Sequence, residues 1–378
     1  MVGVFSTPGS LFPYPCHALA PPPLPPFQAF AVWRWSNYLH DQCACRGKQP
    51  LLINLDETSV PVVFAHVKGN FMVHNGRRAW RPPPRQASGK NEQRTFFTHV
   101  GLICNDPAIQ PLLPQVIFVG SPGINWAEWS LLVADLPPNV FIKRMPRGWN
   151  NADQHKLIIR ILGLVLRPFL ATRQPILSFD AAKLHLNAEV LHEIYTAHMW
   201  YLLIPARLTW LLQPLDTHAF LKYKRYLKSL FLDTFGTFAF ENRTSRMARL
   251  VIEAIRHVLQ GNEWHAAFDT NGLGGSLCNV SKYIKDQLHL KDLPALPRTR
   301  PSIDEVRVTF PRNVAFNYFV VFEPFPTPVV AAPPLLAVEA APAAAMEASG
   351  LPVSLLTSRI PVGPIENLRC CSVKRRPD

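Results

Sequence analysis

Six stretches of this 378-residue chain carry apolar residues as strands do, either alternating or in short unbroken runs. They are LLINLD (51–56), GNFMVH (69–74), RTFFTHVGLIC (94–104), QVIFVG (115–120), PILSFD (175–180) and MWYLLIP (199–205). Aromatic and β-branched side chains dominate them, as suits a pleated, half-buried surface. Three other stretches repeat their apolar positions at helical spacing: 150–170, 187–198 and 215–231. Asn150 or Asn151 can cap the first of these and Asn187 the second, while Pro168 marks the end of the first. The short AVWRWSNYLHDQ segment (31–42) could form one more helix.

The order is several strands, then helix, strand, helix, strand, helix. The early strands suit an antiparallel meander and the later ones parallel crossovers. One mixed sheet flanked by helices is the expected packing, over residues 46–290.

The ends have a different texture. Residues 1–33 hold eight prolines and no Asp, Glu, Lys or Arg, so 1–45 reads as a Pro-rich segment and linker. Residues 291–378 read as an extension that is Pro/Ala-rich and mobile from 324. Both ends are expected to be dispensable for folding. No internal repeat is present. The best apolar run, LIIRILGLVLRPFL, is broken by Arg160 and Arg167 and is too short for a membrane span. The N-terminus has no positive charge before its apolar residues and makes a poor signal peptide.

Charge narrows the partner. There are 39 Lys plus Arg against 26 Asp plus Glu, a net charge of +13, which favours a polyanion such as nucleic acid. The segment 75–94 has six basic residues (Arg77, Arg78, Arg81, Arg85, Lys90, Arg94), one acid, and Trp80 among them. It suits a basic loop along DNA phosphates, or else a solvated loop. The 215–231 helix adds Lys222, Lys224, Arg225 and Lys228. Seven cysteines without a repeating frame read as reduced, intracellular thiols. Cys43 and Cys45 with His40 hint at metal, but no second Cys/His pair completes a four-ligand set. Lys374-Arg375-Arg376 reads as a short nuclear address or a solvated tail, and nuclear localisation is the expectation for a eukaryotic chain. No Gly-rich phosphate loop points to a nucleotide cofactor.

Three acids then stand out. Asp56 ends the first strand, Asp180 ends PILSFD, and Asp216 sits in LLQPLD at the start of the basic helix. A carboxylate at the end of a buried strand is costly unless it is paired or meets a metal. Hard oxygen donors of this kind suit Mg²⁺, and two such ions can promote phosphodiester cleavage. Each Asp taken alone could equally be a turn residue or a cap. Glu57, next to Asp56 on a strand, points to the opposite face and ranks behind the three acids. His185 could orient phosphate or the Asp180 loop, or be a structural histidine.

The same residues carry a resemblance. NLDETSV (54–60), RGWNNADQ (147–154), LSFDAAKLHL (177–186) and LIPARLTWLLQPLDTHAFLKYK (203–224) resemble the catalytic core of the DDE superfamily endonucleases. Within that superfamily they resemble the pogo- and mariner-like transposases and their jerky and centromere protein B-like relatives. WHAAFDTNG (264–272) is similar to an element those proteins carry beyond the core. The resemblance implies an RNase H-like fold and catalysis with two Mg²⁺ ions, or Mn²⁺ in their place. It implies Asp56, Asp180 and Asp216 as metal-binding catalytic residues, with DNA as substrate. Ala181 stands where many members have Asn, and Lys183-Leu184 replaces their Pro before His185. A domesticated relative that binds DNA without cutting it is the other reading, and a homodimer is left open. About fifty residues precede Asp56, too few for the helix-turn-helix modules of such transposases, so weak binding that ignores base sequence is expected.

Overall fold

The computed structural model describes residues 26–61, 96–120, 126–145, 150–235, 243–302 and 309. The chain divides into two units, Met1–Phe325 and Pro326–Asp378, and the second lies outside the described residues. So do the GNFMVH stretch and the 75–94 segment.

The first unit is built on a six-stranded mixed sheet. Its strands are β1 (Gln49–Pro61), β2 (Phe96–Cys104), β3 (Gln115–Gly120), β4 (Val140–Met145), β5 (Arg173–Asp180) and β6 (Trp200–Ile204). They lie in the order β4-β3-β2-β1-β5-β6. The meander β1-β2-β3 is antiparallel, and β5 and β6 join it in parallel on the other side of β1. This is the expected α/β architecture, a mixed sheet flanked by helices. One strand was not foreseen. β4 pairs in parallel with β3 after a crossover through α2 (Trp126–Ala134), so the parallel pattern also occurs at the meander's outer edge. Val140 is the one fully buried position of VFIKRM, so no alternation announced the strand.

The predicted helices form with their predicted caps. α3 (Ala152–Leu166) is capped by Asn151, whose side chain accepts from Gln154 N at 3.0 Å. α4 (Ala188–Thr196) is capped by Asn187. Both follow the rule that a short polar side chain takes up an orphan N–H at the first turn. α3 and α4 lie side by side, linked at the surface by Arg160–Glu193 and Lys156–Glu189 pairs. Positions 174–179 of β5 are buried throughout, as in a strand covered on both faces.

The N-terminal helix needs a correction. The segment assigned as Pro-rich linker is helical from Pro26: α1 spans Pro26–Cys45, and Ala29, Val32, Trp33, Trp35, Leu39 and Cys43 join the main core. Trp33 Nε1 donates to Asn271 O at 2.8 Å and Ser36 Oγ to Leu273 O at 2.8 Å. Gly272 has φ +79°, and a Cβ there would sit 2.3 Å from Trp33 Nε1. A glycine is needed at that turn both for its backbone and for the indole. Residues 26–33 are therefore part of the packed unit, and prolines 8–25 lie outside the described residues. Cys43 is buried and Cys45 exposed, while His40 Nε2 lies 3.0 Å from Leu273 O, so these three do not form a metal set. Among the described residues no helix is long and apolar enough to cross a membrane.

Candidate active site

The site lies where β1 and β5 part. Their parallel pairing ends at Asn54↔Ser178, while β1 continues against β2 to Pro61↔Phe96. Asp56 was expected to end its strand; β1 instead runs on to Pro61, and Asp56 lies two residues past the point where it loses β5 as a neighbour. Asp180 is the last residue of β5 and pairs with Ile204 of β6. In sheets with parallel strands this carboxyl end is where side chains gain an open crevice.

Asn54 ties the third acid to the other two. It is fully buried, and its Nδ2 donates to Ser178 O of β5 at 2.9 Å. Its Oδ1 accepts from Leu215 N at 2.8 Å, the amide just before Asp216. Asp216 itself lies in a π-helical turn, Leu215–Ala219, that leads into α6 (Phe220–Phe235). π turns of this sort widen a helix locally and often sit at functional sites. Across the sheet, Gly101 is the β2 residue opposite Asp56, and a Cβ there would come 3.1 Å from Phe220 and 3.6 Å from Leu215. The missing side chain lets the turn carrying Asp216 approach the Asp56 face of the sheet. On its far side the turn is held by Thr217 and His218. Asn271 Nδ2 donates to Thr217 Oγ1 at 2.9 Å, and His218 Nε2 lies 3.1 Å from Thr270 Oγ1. Thr270 and Asn271 belong to the WHAAFDTNG element.

The three acids come within electrostatic reach of one another. Burial, and then the charges of Asp216, Glu57 and Asp180, push the Asp56 carboxyl well above its ordinary range. Asp216 is exposed by surface area, yet what burial its carboxyl has raises it too. A hydrogen bond with Asp56, the charge of Lys224 and the Thr209 hydroxyl pull the other way. Like charges gathered at one edge favour keeping a proton, or taking a cation in its place. All three are hard carboxylate donors from separate elements, so the set fits Mg²⁺ or Mn²⁺.

The other face of β1 carries a second cluster. Glu57 points away from Asp56, as strand alternation requires. His185 Nε2 lies 3.1 Å from Glu57 Oε2, and His185 Nδ1 lies 2.6 Å from Asp180 Oδ1. Asn150 Nδ2 donates to Glu57 Oε1 at 2.7 Å. His155, from α3, stacks obliquely on His185 at 4.8 Å between rings, with its Nδ1 3.7 Å from Glu57 Oε1. Burial alone would lower His185, but the two carboxylates outweigh it and raise its pKa to about 10. Burial does lower His155. Glu57 is half-buried, which would raise it, yet the two histidines hold it below the carboxylate range. Among the described residues, Glu57, His155 and His185 are the one set of three such donors with ligand atoms within 4.8 Å of one another, and such a set could hold a divalent ion.

The structure brings together Asp56, Asp180, Asp216, Glu57 and His185. Of the basic residues, Lys224 bears on Asp216, and Lys222, Lys224 and Arg225 are exposed on α6 with Lys228 half-buried. Arg77, Arg78, Arg81, Arg85, Lys90 and Arg94 lie outside the described residues. Sequence reading missed Asn54, Asn150 as a partner of Glu57, His155 and Thr209. Asn54 and Asn150 stood inside stretches already singled out, but His155 looked like one more position on a helix.

No protein-family model matches the chain, and no curated protein matches it. Solved structures do. The Mos1 transposase paired-end complex with left transposon end is 14% identical, covers 71% of this chain and 67% of its own, and superposes with a TM-score of 0.33. The Mos1 mariner paired-end complex with Mn is 14% identical, covers 72% of this chain and 68% of its own, with a TM-score of 0.34. A pre-cleavage Mos1 transpososome is 15% identical over 71% of this chain and 68% of its own, with a TM-score of 0.33.

Proposed function

We propose that this chain is the core of a DDE-type transposase or endonuclease that cuts DNA and joins the freed 3′ end to a target strand. The observation that carries this reading is the meeting of Asp56, Asp180 and Asp216, from β1, β5 and the π turn, at one edge of the sheet. These three would hold two Mg²⁺ or Mn²⁺ ions. When bound, such ions activate a water or hydroxyl and stabilise the leaving oxygen of a phosphodiester.

The chain's own residues have separable tasks. Asn54 fixes the separation of the strand ends and the π turn. Thr209 and Lys224 bear on Asp216, and the exposed basic face of α6 offers phosphate contacts beside it. Arg77, Arg78, Arg81, Arg85, Lys90 and Arg94 are proposed to extend that contact. Kinship with the pogo- and mariner-like group, including the jerky and centromere protein B-like relatives, belongs to the same proposal, as do a catalytic domain over 46–290, DNA as partner, a homodimer and a nuclear location. A second reading, a domesticated DNA-binding protein without cleavage, is favoured by Ala181 in place of Asn.

The test is a nicking assay on labelled duplex with the full chain, in Mg²⁺, in Mn²⁺ and in a chelator. Metal-dependent nicks with 3′-hydroxyl ends are expected. Salt-sensitive DNA binding with no nick under either metal would reject the enzyme and leave the second reading.

A further inference from the structure

We propose that Glu57 and His185 are positioning residues that aim the Asp180 carboxylate at the metal position; this rests on the metal-dependent reading above. β5 ends on Asp180 and a loop follows, so the strand itself does not hold its side chain from both sides. Its Oδ1 accepts from two donors: His185 Nδ1 at 2.6 Å and Ala182 N at 3.1 Å. Among the described residues these are the hydrogen bonds given to its side chain, and both fall on the same oxygen. That engages Oδ1 and leaves Oδ2 as the oxygen for a cation.

His185 is itself held from behind. Its Nδ1 also lies 3.1 Å from Asp180 O, and Phe179 meets the ring edge-on at 5.4 Å. Its Nε2 faces Glu57 at 3.1 and 3.3 Å. Glu57 is anchored by Asn150 and rides on β1 directly after Asp56, with its own amide donating to Asp56 Oδ1 at 2.8 Å. The series Asp56–Glu57–His185–Asp180 therefore links two of the three acids through the opposite face of the sheet. His185 is 2% exposed at its side chain, so solvent cannot replace it. The hydrogen bonds of these two side chains run to each other, to Asn150 and to Asp180, which makes them supports of the ligand. Supporting groups behind metal ligands act in this way, orienting the ligand.

The experiment measures Mn²⁺ binding to the full chain by calorimetry and by electron paramagnetic resonance, without DNA. Single-turnover nicking is then followed against Mn²⁺ concentration. Variants are H185A, E57A, E57Q, H155A and D180A, each checked for native circular dichroism. H185A and E57A should weaken Mn²⁺ binding about ten- to a hundredfold. Nicking by both should require a correspondingly higher Mn²⁺ concentration than the unaltered chain does. E57Q, which keeps a hydrogen-bonding partner for His185, should recover most of the loss. A merely structural role would lower stability without this shift to higher metal concentration and its rescue. Unchanged Mn²⁺ affinity in folded H185A would overturn the positioning role while leaving the metal reading intact. So would stoichiometric Co²⁺ or Zn²⁺ binding that H155A abolishes, since Glu57, His155 and His185 would then be a metal site themselves. Absence of Mn²⁺ binding by the unaltered chain would reject both proposals together.

Discussion

Asp56 and Glu57 are one peptide bond apart and carry the same charge, yet their surroundings are opposite. Asp56 faces Asp180 and Asp216, and burial with those like charges raises its pKa. Glu57 faces His185, His155 and Asn150, which stabilise its charge despite burial. The alternation of a strand sorts two adjacent acids into an unneutralised set and a neutralised one. The first set is costly in the protein alone and suited to taking up cations. The second is a satisfied polar network that reaches Asp180 through His185.

The sharpest break of that comparison is catalytic. Asp180→Ala should reduce metal-dependent nicking to background while DNA binding is kept or tightened, since a negative charge near phosphate is lost. A gel assay with undiminished nicking by D180A would remove Asp180 from the set.

Next comes stability without metal. Glu57→Ala leaves His185 buried beside one carboxylate and removes the acceptor of Asn150, so it should cost about 3 kcal/mol, as for one partner removed from a buried pair. Asp56→Asn relieves like-charge repulsion and should instead raise the melting temperature. Added Mg²⁺ should raise the melting temperature of the unaltered chain more than that of D56N, by mass action on the folded state. Calorimetric scans with and without Mg²⁺ check both signs; destabilisation by D56N would mean that Asp56 is already neutralised.

His99 separates burial from charge pairing. It is fully buried on β2 with Gln115 as hydrogen-bond partner, and burial, only partly opposed by that bond, lowers its pKa to about 4. A histidine depressed on folding stabilises fully above its unfolded pKa of 6.5 and progressively less as pH falls toward the folded value. Between pH 7 and pH 4 the loss should be about 3 kcal/mol from this group. Denaturant titrations of the unaltered chain and H99Q should therefore converge as pH falls, and parallel curves would show that His99 is not the group responsible.

The smallest effect is geometric. Gly101→Ala puts a methyl about 3.1 Å from Phe220, tight enough that the turn must yield by a few tenths of an ångström. The expected cost is about 1 kcal/mol, at the low end for an overpacked core. Nicking should fall more than stability does, because the displaced turn carries Asp216. Equal nicking in G101A would show that the turn has room to adjust.

Much of this was legible in the chain before folding. QVIFVG, PILSFD and MWYLLIP became β3, β5 and β6 with small changes of boundary, because apolar alternation and turn residues are local properties. The helix after Asn151 and the one after Asn187 formed for the same reason, with a cap, an apolar stripe and a stop. The three acids and their order were visible as residue types at the ends of apolar runs. α1 was half legible: its Trp-rich stretch looked helical, but the prolines before it concealed that the helix begins at Pro26. That helix is stabilised by a turn some 240 residues away, at Asn271–Leu273, and no local signal reports such a partner.

The sequence by itself determined most of the strands and helices, β4 and the start of α1 excepted, and which side of β1 each acid takes, since periodicity is written residue by residue. Only the tertiary structure decided what each side meets. Asn54 joins β1 to both β5 and the Asp216 turn across 124 and 161 residues. His155 reaches Glu57 from α3, and Gly101 clears the space for Phe220. Contacts of that span depend on how layers stack and on which strands neighbour one another, and the pattern of any single segment does not encode them.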